Sequence, residues 1–286
     1  MATPVFRGYD RAALDAEYNN RTKVKDAMEW IARYGAESAR ARAELPLRFD
    51  VPYGAHHAER LDVFPAAGPQ PAPIHVFVHG GYWHRMDKAD FSFVARALRP
   101  AGALTVVVDY GLIPTVDMDT LVRQCRSAIA WVHAHAAELG GDPARLFVSG
   151  HSAGGHLTAM LLATDWTALG RPPDSVKGGC AISGLYDLEP IRLCYLNEVL
   201  GLTPESARRN SPVTLPPPRA GSLILAVGGD EGAEYHRQTD ALATAWGVKP
   251  SDVLDLAGHN HFSIMGELEN PFSPLARAIH TQMGLT

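Results

Sequence analysis

The chain has 286 residues, 46% of them hydrophobic and 20% charged, a balance that supports one large soluble core and excludes disordered and fibrous classes. A net charge of -5 gives no electrostatic reason to expect nucleic acid or an anionic membrane as a partner. No apolar run reaches the roughly 18 residues of a membrane span, and Met1 to Tyr9 lacks the basic region and apolar core of a secretory signal, so a cytoplasmic setting is expected.

Residues 10–45 are rich in Ala, Arg and Glu, with apolar residues at irregular helical spacing, which predicts helices that lead into the body or lie over it. Leu47 to Val51 and Glu59 to Phe64 then alternate apolar with polar across Pro52-Tyr-Gly54, as in an antiparallel pair at a sheet edge. From Ile74 the texture becomes β, α, β, α, the pattern of a mostly parallel sheet with helices on both faces. Strands are expected at Ile74–Val78, Leu104–Val108, Val176–Ile182, Ser222–Val227 and Val253–Leu256. A further strand around Val148 runs into Gly150-His-Ser-Ala-Gly154. Helices are expected over Asp90–Leu98, Leu121–Leu139, Tyr235–Trp246 and Pro274–Met283, with another from about Leu157. The polar, proline-dotted stretch 186–218 reads as an insertion over the carboxyl ends of the strands, where parallel sheets bind ligands. The whole of 1–286 is therefore read as one α/β domain.

The Gly150-x-Ser152-x-Gly154 segment carries the chemistry. A serine between two glycines, after a buried strand and before a helix, sits at the tip of a sharp turn. Its hydroxyl is a poor nucleophile at neutral pH and needs a base, an orienting acid and donors for a developing oxyanion. Val227-Gly-Gly-Asp-Glu231 follows one strand and offers Asp230, with Glu231 beside it as second choice; Ala257-Gly-His-Asn-His-Phe262 follows the last strand and offers His259 or His261. Serine, acid and histidine then occur in the chain order expected of this strand-turn-helix architecture. His79-Gly80-Gly81-Tyr82-Trp83, directly after a buried strand, supplies bare backbone at Gly80 and Gly81, and the N–H of Ala153 lies just past the serine. Tyr82 and Trp83 are candidates for an aromatic substrate wall, with a core role as the alternative. His156, one turn into the helix after Ser152, reads as a packing partner, and Tyr186, Leu188 and Asn197 open the insertion as candidates for shaping specificity. Cys125, Cys180 and Cys194 have no close metal-ligand spacing and read as reduced, buried thiols. His56-His57 and His133-x-His135 read as surface histidines, so no metal or other cofactor is expected.

Together His79-Gly-Gly-Tyr-Trp83, Gly150-His-Ser-Ala-Gly-Gly-His156, Ser183-Gly-Leu-Tyr-Asp-Leu-Glu-Pro190, Gly229-Asp-Glu231 and Asn260-His-Phe262 resemble the α/β-hydrolase fold. Within it they are similar to the arylformamidase (kynurenine formamidase) group, beside the hormone-sensitive-lipase-like esterases. The resemblance runs from about residue 47 to the C-terminus. It implies His261 rather than His259 as the base and Asp230 as the acid, with Ser152 as nucleophile and Gly80, Gly81 and Ala153 as oxyanion donors. Gly155 departs from the group's usual alanine. The expected activity is cofactor-free hydrolysis of a small acyl group, formyl first, from an aromatic amide. A short-chain carboxylesterase is the alternative, and a binding protein on the same scaffold is the third reading, against which the intact Ser152, Asp230 and His261 argue. The expected partner is a small-molecule amide or ester, and a homo-oligomer is left open.

Overall fold

A computed structural model describes residues 3–285; the first two residues of the N-terminal stretch and Thr286 lie outside it. Eight strands form one sheet in the order β1-β2-β4-β3-β5-β6-β7-β8. They are β1 (Arg48–Pro52), β2 (Arg60–Phe64), β3 (Ala72–Val78), β4 (Leu104–Val108), β5 (Gly141–His151), β6 (Gly178–Ile182), β7 (Ser222–Gly228) and β8 (Val253–Leu256). Strands β3 to β8 are mutually parallel, and β2 pairs antiparallel with both β1 and β4, which gives the expected antiparallel edge.

The alternation of each central strand divides the core. Ile74, Val76 and Val78 of β3 pack into one cluster and Phe77 into the other; Leu223, Leu225 and Val227 of β7 oppose Ile224 and Ala226 in the same way. Buried on both sides, these strands are continuous apolar runs, as parallel strands must be when helices cover both faces. The helices are α1 (Arg11–Tyr18), α2 (Asn20–Lys23), α3 (Ala27–Glu44), α4 (Ala95–Leu98), α5 (Met118–Leu139), α6 (Ala153–Leu162), α7 (Glu189–Leu193), α8 (Asn197–Leu200), α9 (Pro204–Arg209), α10 (Ala233–Trp246) and α11 (Pro274–Met283). Asp117 caps α5 by accepting from the Thr120 N–H, and Gly140, in the left-handed region at φ 82°, ends it. None of these helices is long and apolar enough to cross a membrane.

One element differs from its expectation. The single helix expected over Asp90–Leu98 is two 3₁₀ turns, Lys88–Asp90 and Ser92–Val94, followed by the one turn of α4. Phe91 breaks the run at φ -123°. Its ring is buried against Tyr34 and His79, with centroids 5.7 and 6.0 Å apart, so tertiary packing of an aromatic overrides a weak local helix preference.

Candidate active site

The carboxyl ends of β3, β5, β6, β7 and β8 point the same way, so their following loops converge. Ser152 directly follows β5 at the centre of the sheet and caps α6, with φ 57° and ψ -116°, a conformation rare for a side-chain-bearing residue. Its flanking glycines are required by contact. A Cβ on Gly154 would lie 2.0 Å from the Val78 carbonyl oxygen, and one on Gly150 would lie 2.3 Å from that of Gly154. Ser152 N–H donates to the Ile182 carbonyl at 2.8 Å, which ties the turn to the neighbouring β6.

His261 follows β8, and its Nε2 lies 3.1 Å from Ser152 Oγ. On the other side of the ring, Nδ1 lies 2.7 Å from Glu231 Oε2. With Nδ1–H donated to this carboxylate, Nε2 is left to accept the serine proton. His259 is elsewhere, 3.3 Å from Glu267 Oε1.

The acid position corrects the expectation of Asp230. The Glu231 N–H closes a tight turn onto the Gly228 carbonyl at 3.0 Å, which leaves Asp230 exposed at its apex and returns Glu231 toward the site. Glu231 Oε1 then accepts from the Gly228 N–H at 2.8 Å and from the Ser183 hydroxyl, and its side chain is fully buried. Three donors therefore hold the carboxylate in one orientation. Ser183, which opens the Ser183-to-Pro190 segment, lies at the end of β6 with φ 48°, a turn conformation that residue type alone does not reveal.

The loop after β3 lies against the nucleophile. Gly80 is so close that an added Cβ would meet the His151 carbonyl oxygen at 2.8 Å and Ser152 Cβ at 3.4 Å. Gly81 has φ 109° and accepts from the N–H groups of His84 and Arg85, forming the turn that carries Tyr82 and Trp83. Ala153 is fully buried at the first position of α6.

Tyr82 and Trp83 part company. Tyr82 borders a cavity of about 260 Å³ that also touches Ser152 and His261. Its hydroxyl donates to the Tyr18 carbonyl at 2.7 Å and sits 2.7 Å from the Tyr235 hydroxyl. Trp83 is not a substrate wall: it is fully buried, and its indole N–H donates to His156 Nδ1 at 3.1 Å. His156 Nε2–H in turn donates to the Asn210 carbonyl at 2.7 Å, and burial pushes its imidazole down to about 4. His156 thus ties the β3 loop, α6 and the insertion together as a neutral ring.

The cavity's other walls come from residues assigned no site role in the sequence. Tyr34, Phe91, Tyr195 and Phe262 make it aromatic, and Asn20 and Tyr34 show that the N-terminal helices roof it. Asn20 Nδ2–H donates to the Tyr235 hydroxyl at 2.7 Å, and the Tyr34 hydroxyl donates to the Phe262 carbonyl, one residue from His261. From the insertion, Tyr195 and Leu196 reach the cavity, while Tyr186, Leu188 and Asn197 serve structure instead. Tyr186 and Leu188 are fully buried, and Asn197 brackets Leu202 with two hydrogen bonds. Among the described residues the three cysteines are free and buried, and burial raises their thiols, those of Cys180 and Cys194 to about 12.

A family model described as BD-FAE matches residues 61–170. Kynurenine formamidase of Salmo salar is 33% identical, with 96% of this chain and 95% of the relative covered; that of Danio rerio is 38% identical over 80% and 79%. The chain belongs to the kynurenine formamidase family. As a member of that family it is a hydrolase with the α/β-hydrolase fold. A solved structure from Silicibacter sp. tm1040, provisionally a thioesterase, superposes with a TM-score of 0.84 at 28% identity, covering 93% of this chain and 98% of that one.

Proposed function

We propose that this kynurenine formamidase family member is a serine hydrolase that removes a formyl group from an arylamine. The observation that carries the reading is the relay of Ser152, His261 and Glu231 at 3.1 and 2.7 Å on the edge of an aromatic cavity. At about 260 Å³ the cavity falls below the roughly 300–1,000 Å³ of drug-sized sites, which favours a small substrate with one ring.

In this mechanism His261 Nε2 takes the Ser152 proton as Oγ attacks the formyl carbon. Glu231 holds the ring in the required tautomer and stabilises the imidazolium. The backbone N–H groups of Gly80, Gly81 and Ala153 receive the developing oxyanion, each such donor contributing about 2.7–4 kcal/mol to barrier lowering. Collapse transfers the imidazolium proton to the leaving amine, giving the free arylamine and a formyl-serine. Water, deprotonated by His261, then releases formate and restores the serine. The aromatic cavity holds the amine side, since formyl itself needs almost no room. A cytoplasmic setting belongs to the same reading and is supported by the three unpaired, buried thiols.

The deciding measurement is kcat/KM for N-formylkynurenine and formanilide beside p-nitrophenyl acetate. A formamidase should favour the formamides, and Ser152→Ala should reduce turnover of all three by at least about 10³-fold. Faster turnover of the ester with little formamide cleavage would make the protein a carboxylesterase, and undiminished hydrolysis by Ser152→Ala would remove the nucleophile assignment.

A further inference from the structure

The relay holds His261 in the plane of its ring, by Glu231 at Nδ1 and by Ser152 at Nε2. Hydrogen bonds in that plane resist a tilt of the ring out of it only weakly, so whatever packs against the imidazole decides whether Nε2 stays aimed at the hydroxyl. Two side chains with no part in the relay lie there. The His151 ring has its centroid 4.7 Å from that of His261, and the Tyr235 ring 4.5 Å. His151 is 4% exposed and Tyr235 fully buried, so neither can swing away into solvent.

Each of the two also reaches the loop after β3. His151, the last residue of β5, donates its Nε2–H to the backbone carbonyl of His261 at 2.8 Å. That bond fixes its tautomer and leaves Nδ1 bare beside Gly80, where a Cβ added to the glycine would lie 3.3 Å from it. Burial, and then the field of His261, holds the His151 imidazole well below its ordinary range, so a neutral ring and not a second cation lies against the base. Tyr235, on the first turn of α10, is tied through its hydroxyl. With the Tyr82 hydrogen given to the Tyr18 carbonyl, the Tyr235 hydroxyl donates to Tyr82 at 2.7 Å and accepts from Asn20 Nδ2–H at 2.7 Å. Tyr82 stands on the Gly81 turn, and Asn20 belongs to the roof of the cavity.

We infer that His151 and Tyr235 are positioning residues that hold the imidazole of His261 in register with the backbone of Gly80 and Gly81. The inference rests on the proposed relay of Ser152, His261 and Glu231, and not on which acyl group that relay removes. Proton transfer from Oγ to His261 and the movement of negative charge toward Gly80 and Gly81 belong to one step, so base and donors must keep a fixed separation while it occurs. Neither positioning residue exchanges a proton. Their loss therefore falls on the chemical step, in kcat, and not on substrate binding.

The test measures kcat and KM on whichever of formanilide and p-nitrophenyl acetate the wild type turns over faster, beside the rate at which diisopropyl fluorophosphate labels Ser152. His151→Leu and Tyr235→Leu should each lower kcat and the labelling rate by about 10²-fold with little change in KM. His151→Gln, whose amide can still donate to the His261 carbonyl, should recover most of that loss. Tyr235→Phe keeps the ring and should also recover most of kcat, but it should raise KM severalfold because it frees Asn20 and Tyr82 at the cavity wall. Both residues act on one ring, so the double leucine variant should lose less than the product of the single losses. Should a leucine variant fail to fold, His151→Asn, whose donor is one bond too short, and Tyr235→Met, which fills the space without a ring, carry the same comparison. Labelling and kcat that stay at wild-type values in folded variants, or conservative variants that lose as much as the leucines, would overturn the assignment. A wild type that takes up no label at all would remove the relay itself, a failure distinct from that of the positioning residues.

Discussion

Glu231 and Asp230 are neighbours with the same charge, but Glu231 is buried against His261 and Asp230 is exposed. Glu231→Gln keeps the size of the side chain and its contact with Ser183, but its amide cannot both accept at His261 Nδ1 and neutralise an imidazolium. Turnover should fall on the order of 10²–10⁴-fold with little change in KM, whereas Asp230→Asn, at an exposed turn apex, should stay within about twofold. Parallel kcat measurements on the two variants check this; equal losses would return the acid role to open question. The histidine choice has the same form: His261→Ala should abolish turnover, and His259→Ala, whose ring meets Glu267, should not. The pair of adjacent acids was visible in the sequence. Which one faces inward depended on a turn closed by a Gly228 carbonyl, and two neighbouring residues of a turn always point apart.

At the scale of elements, the β3 loop is held by an anchor that looks from the sequence like a substrate contact. Trp83 buries its ring and donates its only polar hydrogen to His156. Trp83→Phe keeps most of the apolar volume and leaves His156 Nδ1 without a donor in a buried site, an expected cost of about 1–3 kcal/mol. Thermal unfolding should report that loss, and kcat should drop further than KM rises, because the same loop carries Gly80 and Gly81 beside Ser152. The α6 glycines are constrained in the same way: a Cβ at Gly155 would approach the Ile182 carbonyl oxygen to 2.8 Å, so Gly155→Ala should destabilise this chain by forcing α6 away from β6. The strand periods and the strand-turn-helix pattern around Ser152 were legible because local sequence dictates them. The 3₁₀ turns around Phe91 were not, because a contact with α3, remote in sequence, decides them.

At the scale of the molecule, buried neutral histidines govern the response to acid. Burial pushes His75 down to about 3 and His156 to about 4, and holds His151 well below its ordinary 6.5. In the unfolded chain all three take up protons near pH 6.5, while the folded chain binds them only at much lower pH. Stability is therefore complete above about pH 6.5 and falls as pH drops toward the folded values. Thermal unfolding followed by circular dichroism should shift down by at least about 5 °C between pH 7 and pH 5. His75→Leu, which removes a buried ring with neither nitrogen hydrogen-bonded, should flatten that slope, and an unaltered slope would point to other groups.

Resemblance to the arylformamidase group singled out His261 over His259; length, apolar periodicity and the flanking glycines were enough, by themselves, to determine a parallel sheet covered on both faces, the site at its carboxyl edge and Ser152 at the tip of its turn. These follow from local rules: strand and helix periods, and the tight turn that only glycine neighbours permit. Tertiary structure alone decided that Glu231 and not Asp230 meets His261, that Trp83 faces His156 while Tyr82 faces the cavity, and that Arg21 and Tyr34 are brought over a serine more than a hundred residues away. Each of these is a choice of direction for a side chain whose type was already plain, and direction is set by the packing of segments far apart in the chain.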